Sequence, residues 1–174
     1  MDTPTSNGNP TKVARLLAAL RICLGAIFLW AFLDKTFGFG YTTPSSRAWL
    51  KGGNPTEGYL ASSFGPLEKI YHSMAGNAAV DLLFMAGLLA VGLALLLGVC
   101  MRLAGGAGAA MMLLMYVSHP LPWATPNGTH PFLDEHITQA LLLLLLGATA
   151  SGDTWGLGRW WKAKPAVRER SWMA

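Results

Sequence analysis

The sequence predicts an all-α membrane protein: a bundle of four transmembrane helices with a long outer loop that contains short helical or re-entrant segments. Hydrophobic residues make up 52% of the 174-residue chain and charged residues only 13%, whereas soluble domains carry roughly 25% charged residues. The charges are also unevenly distributed, because residues 82–99, 103–117 and 137–150 contain none. Runs of this kind approach the roughly 20 apolar residues that a helix needs to cross a hydrocarbon core about 30 Å thick.

The four predicted spans are residues 13–37, 79–101, 103–118 and 133–151. The third and fourth are short and need interfacial residues to complete the crossing. A soluble helical bundle would show a polar face on each helix, but the run "LLFMAGLLAVGLALLLGV" of the second span is apolar all round. A signal peptide is disfavoured, because the first apolar run is too long and no small-x-small cleavage site follows it.

Positive charge orients the predicted spans. Four spans place both termini on one side, and that side holds nine of the 13 Lys and Arg residues: Lys12, Arg15, Arg21, Arg102, Arg159, Lys162, Lys164, Arg168 and Arg170. The positive-inside rule then places both termini in the cytoplasm, with the protein in the cell membrane. Arg15 and Arg21 are expected to snorkel towards the inner headgroups.

Three regions follow from this topology. Residues 1–12 are polar and are predicted to be a disordered cytoplasmic segment, residues 13–161 form the membrane domain, and residues 162–174 form a basic cytoplasmic tail. Because the basic residues directly follow a span, we expect them to contact lipid headgroups with neighbouring tryptophans at the interface. Nucleic acid is not an expected partner.

Small residues predict close helix packing in the third span. Gly105 and Ala109 are four residues apart, as are Gly106 and Ala110, and this spacing lets helix backbones approach closely in lipid. We expect Gly106 to lie at such a contact.

Residues that can carry chemistry are concentrated in the predicted outer segments, where all four histidines and six of the nine acidic residues fall. A first group is Trp30, Asp34 and Lys35, at the outer end of the first span. Trp30 and Asp34 share a helix face, and ionisable groups at membrane depth usually face a bundle interior or a wet cavity. The alternative is an interfacial ion pair beside an aromatic belt residue.

A second group is Glu135, Thr138 and Gln139, which form one polar stripe where the fourth span begins. Carboxylates suit a helix N-terminus without any further role, but this does not explain Gln139 inside an apolar span.

A third group lies in the loop "WLKGGNPTEGYL", which begins at Trp49. Glycine adopts backbone conformations closed to other residues, so the N–H groups of Gly52 and Gly53 could form an anion-binding concavity, with added charge from Lys51 and Arg47. The alternative is a simple turn.

Metal and redox-cofactor motifs are missing from the sequence. His119, His130 and His136 share no helical face, and no H-x-x-x-H occurs, so we predict no metal site. No motif for flavin, haem or an iron–sulfur cluster is recognisable, and there is no C-x-x-C for a thiol relay.

Four stretches together resemble the DoxX/DoxD family of small bacterial and archaeal membrane proteins: "WAFLDKTFGFGYTTP", "WLKGGNPTEGYL", "PFLDEHITQALLLLLLG" and "GDTWGLGRWW". The resemblance implies a four-helix membrane bundle. Since the DoxD branch is named for the membrane subunit of thiosulfate:quinone oxidoreductase, it also implies transfer of electrons from a small sulfur anion to quinone. Other family members are linked to oxidative-stress or redox complexes, which leaves a non-catalytic anchor or organising subunit as the alternative. Either function implies a partner subunit or a homo-oligomer in the lipid bilayer.

The residues and the resemblance together predict one outward-facing polar pocket. We expect Asp34, Lys35, Trp49, Glu135 and Gln139 to converge there, with a quinone ring in the pocket and its tail in lipid. An anion such as thiosulfate would need the cation of Lys35, Lys51 or Arg47.

Overall fold

The computed structural model describes residues 10–120 and 130–170, and these ranges are helical and contain no strand. The α-helices are α1 (Pro10–Phe37), α2 (Glu57–Ala61), α3 (Glu68–Met74), α4 (Ala78–Leu97), α5 (Met101–Ser118), α6 (Glu135–Ala148), α7 (Gly158–Lys162) and α8 (Pro165–Arg168). Three 3₁₀ turns, Ser45–Arg47, Trp49–Lys51 and Ser151–Asp153, complete the described structure.

Three helices are long and apolar enough to cross a membrane: α1, α4 and α5. Helix α1 begins at Pro10, before the predicted residue 13, and proline suits a helix start because its missing N–H would have no partner there. The fourth predicted span is shorter than expected, since α6 has 14 residues and a helix of that length covers only about 21 Å.

The long helices pack pairwise in chain order. Helix α1 packs along α4 and α5 packs along α6, while α4 contacts α5 and α1 touches α6 only lightly. The core between them is aliphatic and methionine-rich, with Phe28, Met85 and Leu143 among its most buried members. Large apolar side chains also face outwards, and Leu83 is 76% exposed. An apolar outer surface is what a lipid bilayer requires.

Two ends of the helices can be distinguished. The end with Phe37, Ala78, Ser118 and Glu135 also carries α2 and α3 and is called the covered end below. The opposite end carries α7 and α8 and is called the tail end. The covered end corresponds to the predicted outer side, and the predicted short helical pieces of residues 38–78 are present there as α2, α3 and two 3₁₀ turns. Most of the proline-rich loop before α6, residues 121–129, lies outside the described residues.

Glycines set the closest helix contacts. A Cβ atom on Gly105 would lie 2.6 Å from the carbonyl oxygen of Leu143 and 3.0 Å from the Cα atom of Gly147, so α5 and α6 touch backbone to backbone. Gly106 has open space where a side chain would be. The prediction that Gly106 lies at a helix contact is therefore wrong. The neighbouring Gly105 faces α6, and Ala109, four residues later, is also buried.

These neighbouring glycines provide a matched test of the packing. We expect Gly105→Leu to destabilise the protein by more than about 2 kcal/mol, because an added side chain has no space between the backbones and overpacking typically costs 1–3 kcal/mol. Gly106→Leu should leave the unfolding midpoint nearly unchanged. Thermal unfolding in detergent, followed by circular dichroism, measures both. Equal losses for the two variants would contradict the observed rotation of α5 about its axis, in which Gly105 faces α6 and Gly106 faces open space.

A buried arginine of α1 links the end of α4 to residues 151–155 at the tail end. Arg21 is completely buried, and its guanidinium donates only to backbone carbonyls. Nε donates to Ser151 O at 3.2 Å and Nη1 to Leu95 O and Leu96 O. Nη2 donates to Thr154 O and Trp155 O at 3.1 and 3.0 Å. The expectation that Arg21 snorkels to the headgroups is therefore wrong. The last carbonyls of a helix have no hydrogen-bond donors within the helix, and Arg21 donates hydrogen bonds to two of these carbonyls at the end of α4.

Candidate functional site

A cavity of about 450 Å³ lies at the covered end, between α4 and α5 and beneath α2 and α3. Its wall is almost entirely apolar and includes Phe84, Met111 and Leu114. Leu83 and Leu114 line the cavity and are also exposed on the outer surface of their helices. The cavity therefore opens beside an exposed apolar surface of α4 and α5.

Lys35 contributes the one charged side chain among the described residues of the wall. It follows Asp34 in the last turn of α1 and is half-buried. No ion pair or hydrogen bond of the Lys35 ammonium occurs within residues 10–120 and 130–170. The predicted direct ion pair of Lys35 with Asp34 or Glu135 is thus not formed there, and the charge of Asp34 acts on the ammonium only from a longer distance.

Asp34 binds the backbone that follows α1 and does not form the predicted polar pocket. It is buried, and its carboxylate accepts hydrogen bonds from the backbone N–H groups of Tyr41, Thr42 and Thr43 at 3.2, 2.9 and 2.9 Å. The Thr42 hydroxyl adds a fourth at 2.7 Å. Asp34 therefore fixes the chain that leaves α1, and it does not line the cavity.

The cover is tied to α4 by a second carboxylate. Asp81, in the first turn of α4, is buried and accepts from the N–H and the hydroxyl of Thr56 at 2.8 and 2.6 Å. Because Thr56 also lines the cavity, this contact holds α2 at a fixed distance above it.

Two tyrosines of the cover bridge the cavity to α5. The Tyr59 hydroxyl donates to Met115 O at 3.1 Å and the Tyr71 hydroxyl donates to Leu114 O at 2.9 Å. Burial raises the pKa of both tyrosines, so both hydroxyls stay protonated at neutral pH and remain donors. The sequence interpretation missed both, although a tyrosine buried among apolar residues usually finds a hydrogen-bond partner.

A hydrogen-bonded chain leads from the cavity wall to the surface of the covered end. The Ser118 hydroxyl lies 2.8 Å from the Tyr59 oxygen and 3.0 Å from Nδ1 of His119. Nε2 of His119 lies 3.1 Å from Ser62 O. The imidazole is held between the rings of Tyr59 and Phe64, at centroid distances of 4.9 and 4.8 Å. Tyr59, Ser118 and His119 thus form a connected polar cluster between the cavity wall and the surface of the covered end.

The remaining predicted residues lie away from the cavity. Trp30 is half-exposed and stacks on Phe39, with the ring centroids 5.7 Å apart. Trp49 packs against the hydrophobic core. Glu135 is exposed at the start of α6, and Gln139 is half-buried one turn later, but neither lines the cavity. Of the five residues predicted to converge, only Lys35 reaches it.

The glycine pair of the loop forms a turn. The Gly52 N–H donates to Trp49 O at 3.0 Å and the Gly53 N–H donates to Ala48 O at 3.1 Å. Neither amide is available for an anion, so the predicted concavity is not formed. Lys51 is exposed and donates to the Ser45 hydroxyl at 2.6 Å.

Within residues 10–120 and 130–170, no group of three or more His, Cys, Asp or Glu side chains is arranged to hold a metal ion.

Comparison of the chain with protein-family models, curated proteins and solved structures finds no match. The resemblance to the DoxX/DoxD family therefore stays a prediction.

Proposed function

We propose that this chain is a redox-associated membrane subunit of the DoxX/DoxD type that binds a quinone in the cavity at the covered end. In this proposal α1, α4, α5 and α6 form a four-helix transmembrane bundle in the cell membrane. The 38–78 segment covers its outer mouth, and both termini are cytoplasmic. The observation that carries the proposal is an apolar cavity of about 450 Å³ that has Lys35 among the described residues of its wall.

The cavity suits a quinone in size and in chemistry. Small-molecule sites commonly enclose about 300–1,000 Å³ and combine apolar walls with a few polar groups that orient the ligand. A quinone ring presents apolar faces and carbonyl acceptors, and Lys35 supplies the donor. The exposed positions of Leu83 and Leu114 at the wall give an isoprenoid tail a route into lipid.

The hydrogen-bonded chain supports redox chemistry at the same place. Reduction of a quinone to a quinol consumes protons as well as electrons. Tyr59 lines the cavity, and Ser118 and His119 continue the chain to the surface. We propose that these groups pass protons to the ring, with the Tyr59 hydroxyl turning from Met115 O towards the bound quinone.

The geometry favours quinone binding over thiosulfate binding at this site. A dianion would have to leave water for an apolar wall with one compensating charge, and burying unpaired charge is costly. The other loop cations, Arg47 and Lys51, are exposed and lie outside the cavity wall. We therefore propose that electrons from a small sulfur anion arrive through a partner subunit.

A non-catalytic anchor or organising subunit is the second candidate, and an aromatic patch favours it. Trp30, Phe37, Phe39 and Tyr41 are exposed together at the covered end, and Phe37 and Phe39 stack with ring centroids 5.7 Å apart. Aromatic residues are enriched in protein interfaces, so this patch suits a partner subunit or a second copy.

A titration with a short-chain quinone tests the proposal. We expect the quinone to raise the unfolding midpoint of the purified protein in detergent, since a ligand at 100 times its Kd stabilises by about 2.7 kcal/mol. Thiosulfate is then added and quinone absorbance is followed. Binding with thiosulfate-dependent reduction supports catalysis by this chain alone. Binding without reduction would indicate either that a partner subunit is needed to deliver the electrons or that the chain is an anchor. The absence of binding would contradict the quinone assignment.

A further inference from the structure

A second cavity, of about 240 Å³, lies at the tail end, between the first turn of α5, the end of α6 and α7. Its wall carries two cationic side chains, Arg102 and Lys162, with Trp161 beside them. Lys162 Nζ also lies 2.6 Å from Oδ2 of Asp153, the one acidic side chain among the described residues of the wall. Two cationic side chains and one acidic side chain thus lie among the described residues of the wall.

The surroundings place this cavity at a membrane surface. Trp155 and Trp160 are 61% and 55% exposed on the same end, and Lys164 lies over the Trp160 ring at 4.1 Å from its centroid. Tryptophan and basic residues together are typical of the headgroup layer. The cavity adds to this general pattern a concave site with a defined wall.

The surface above Arg102 suits an acyl chain. Gly106 lies one turn further along α5, on the same helix face as Arg102, and nothing lies within 4 Å of the position of a Cβ atom there. Ala148 of α6 lines the cavity, and Leu144 lies one turn before it and is exposed. An apolar surface thus leads from the cationic cavity into the depth of the bilayer.

We propose that the tail-end cavity is a specific site for one anionic phospholipid, whose phosphate contacts Arg102 and Lys162. Arginine binds phosphate through a planar pair of N–H donors. The N–H groups of the first turn of α5, whose Met101 lines the cavity, add partial positive charge. The acyl chains lie along Gly106 and Leu144. This site is independent of the quinone cavity, which is at the opposite end of the helices.

Delipidated protein in detergent tests the site. We expect phosphatidylglycerol to raise the unfolding midpoint and phosphatidylcholine with the same acyl chains to raise it far less. Arg102→Gln and Lys162→Gln should each weaken the phosphatidylglycerol response by about tenfold in apparent affinity, as expected for loss of a charge-assisted hydrogen bond. Arg159→Gln is the matched control, because Arg159 is exposed on α7 and does not line the cavity.

Three results would overturn the proposal. An equal response to both lipids would remove the preference for an anionic headgroup. An equal loss in Arg159→Gln would show diffuse attraction to the basic surface. A full response to inorganic phosphate alone would assign the cavity to a soluble anion. If the glutamine variants do not fold, native mass spectrometry of the unaltered protein decides: one retained phosphatidylglycerol in preference to phosphatidylcholine supports the site, and equal retention contradicts it.

Discussion

Replacing Arg21 with methionine is expected to destabilise the protein by at least about 3 kcal/mol, because buried carbonyls left without donors cost about 1–3 kcal/mol each. Five carbonyls of the α4 end and of residues 151–155 accept from this one guanidinium. Of the five, Leu95 O keeps a second donor, the Gly98 N–H at 3.2 Å. The loss should separate the end of α4 from the chain that follows α6, and the unfolding midpoint in detergent measures it.

Two further variants make this test specific. Arg15→Met, at an exposed position on α1, should change the midpoint little. Arg21→Lys should be intermediate, because an ammonium keeps the charge but has three donors and lacks the planar fork of arginine. A loss for Arg21→Lys as small as for Arg15→Met would contradict the structural function assigned to the five hydrogen bonds.

Replacing Lys35 with methionine is expected to weaken quinone binding by roughly tenfold to a hundredfold, the effect of losing a hydrogen bond from a charged donor. Methionine keeps the apolar length of the side chain, so the cavity should remain formed. Quinone titrations monitored by thermal shift give the affinities. Lys51→Met is the matched control, because the Lys51 ammonium is exposed and bonds to Ser45 outside the cavity.

The same variant separates ligand classes. An anionic quinone analogue should lose more affinity than a neutral one in Lys35→Met, since only the anion loses a direct charge partner. Equal loss for both would mean that Lys35 shapes the site without contacting the ligand, and the anchor function would become the better assignment.

The long helices could be predicted from the sequence because uninterrupted apolar runs have few other stable structures. The contact face of α5 could not, since adjacent glycines carry the same signal and only the position of α6 distinguishes Gly105 from Gly106. Arg21 was misread for a related reason. Its partners lie 74 to 134 residues away, and nothing near it in the chain indicates them.

The candidate site was predicted at the correct end but with mostly different residues. Asp34 and Lys35 were predicted as site residues because they are charged groups at membrane depth. In the structure, Asp34 binds the backbone that follows α1, whereas Lys35 lines the cavity. Tyr59 and Tyr71 come from the covering segment, and their position over α5 depends on contacts across the fold. The polar stripe at the start of the fourth span favoured Glu135 and Gln139, but spacing along one helix gives no information about which helices border the cavity.

Photolabelling tests the central claim most directly. A short-chain quinone with a photoreactive group is bound to the protein in detergent, crosslinked by light and located by peptide mass spectrometry. The quinone assignment predicts labels on cavity residues such as Met74, Tyr59 and Met111, with competition by unlabelled quinone and loss in an Ala110→Trp variant, whose larger side chain occupies the cavity. Labels confined to the exposed aromatic residues Trp30 and Phe39, or labels unaffected by competitor, would contradict it.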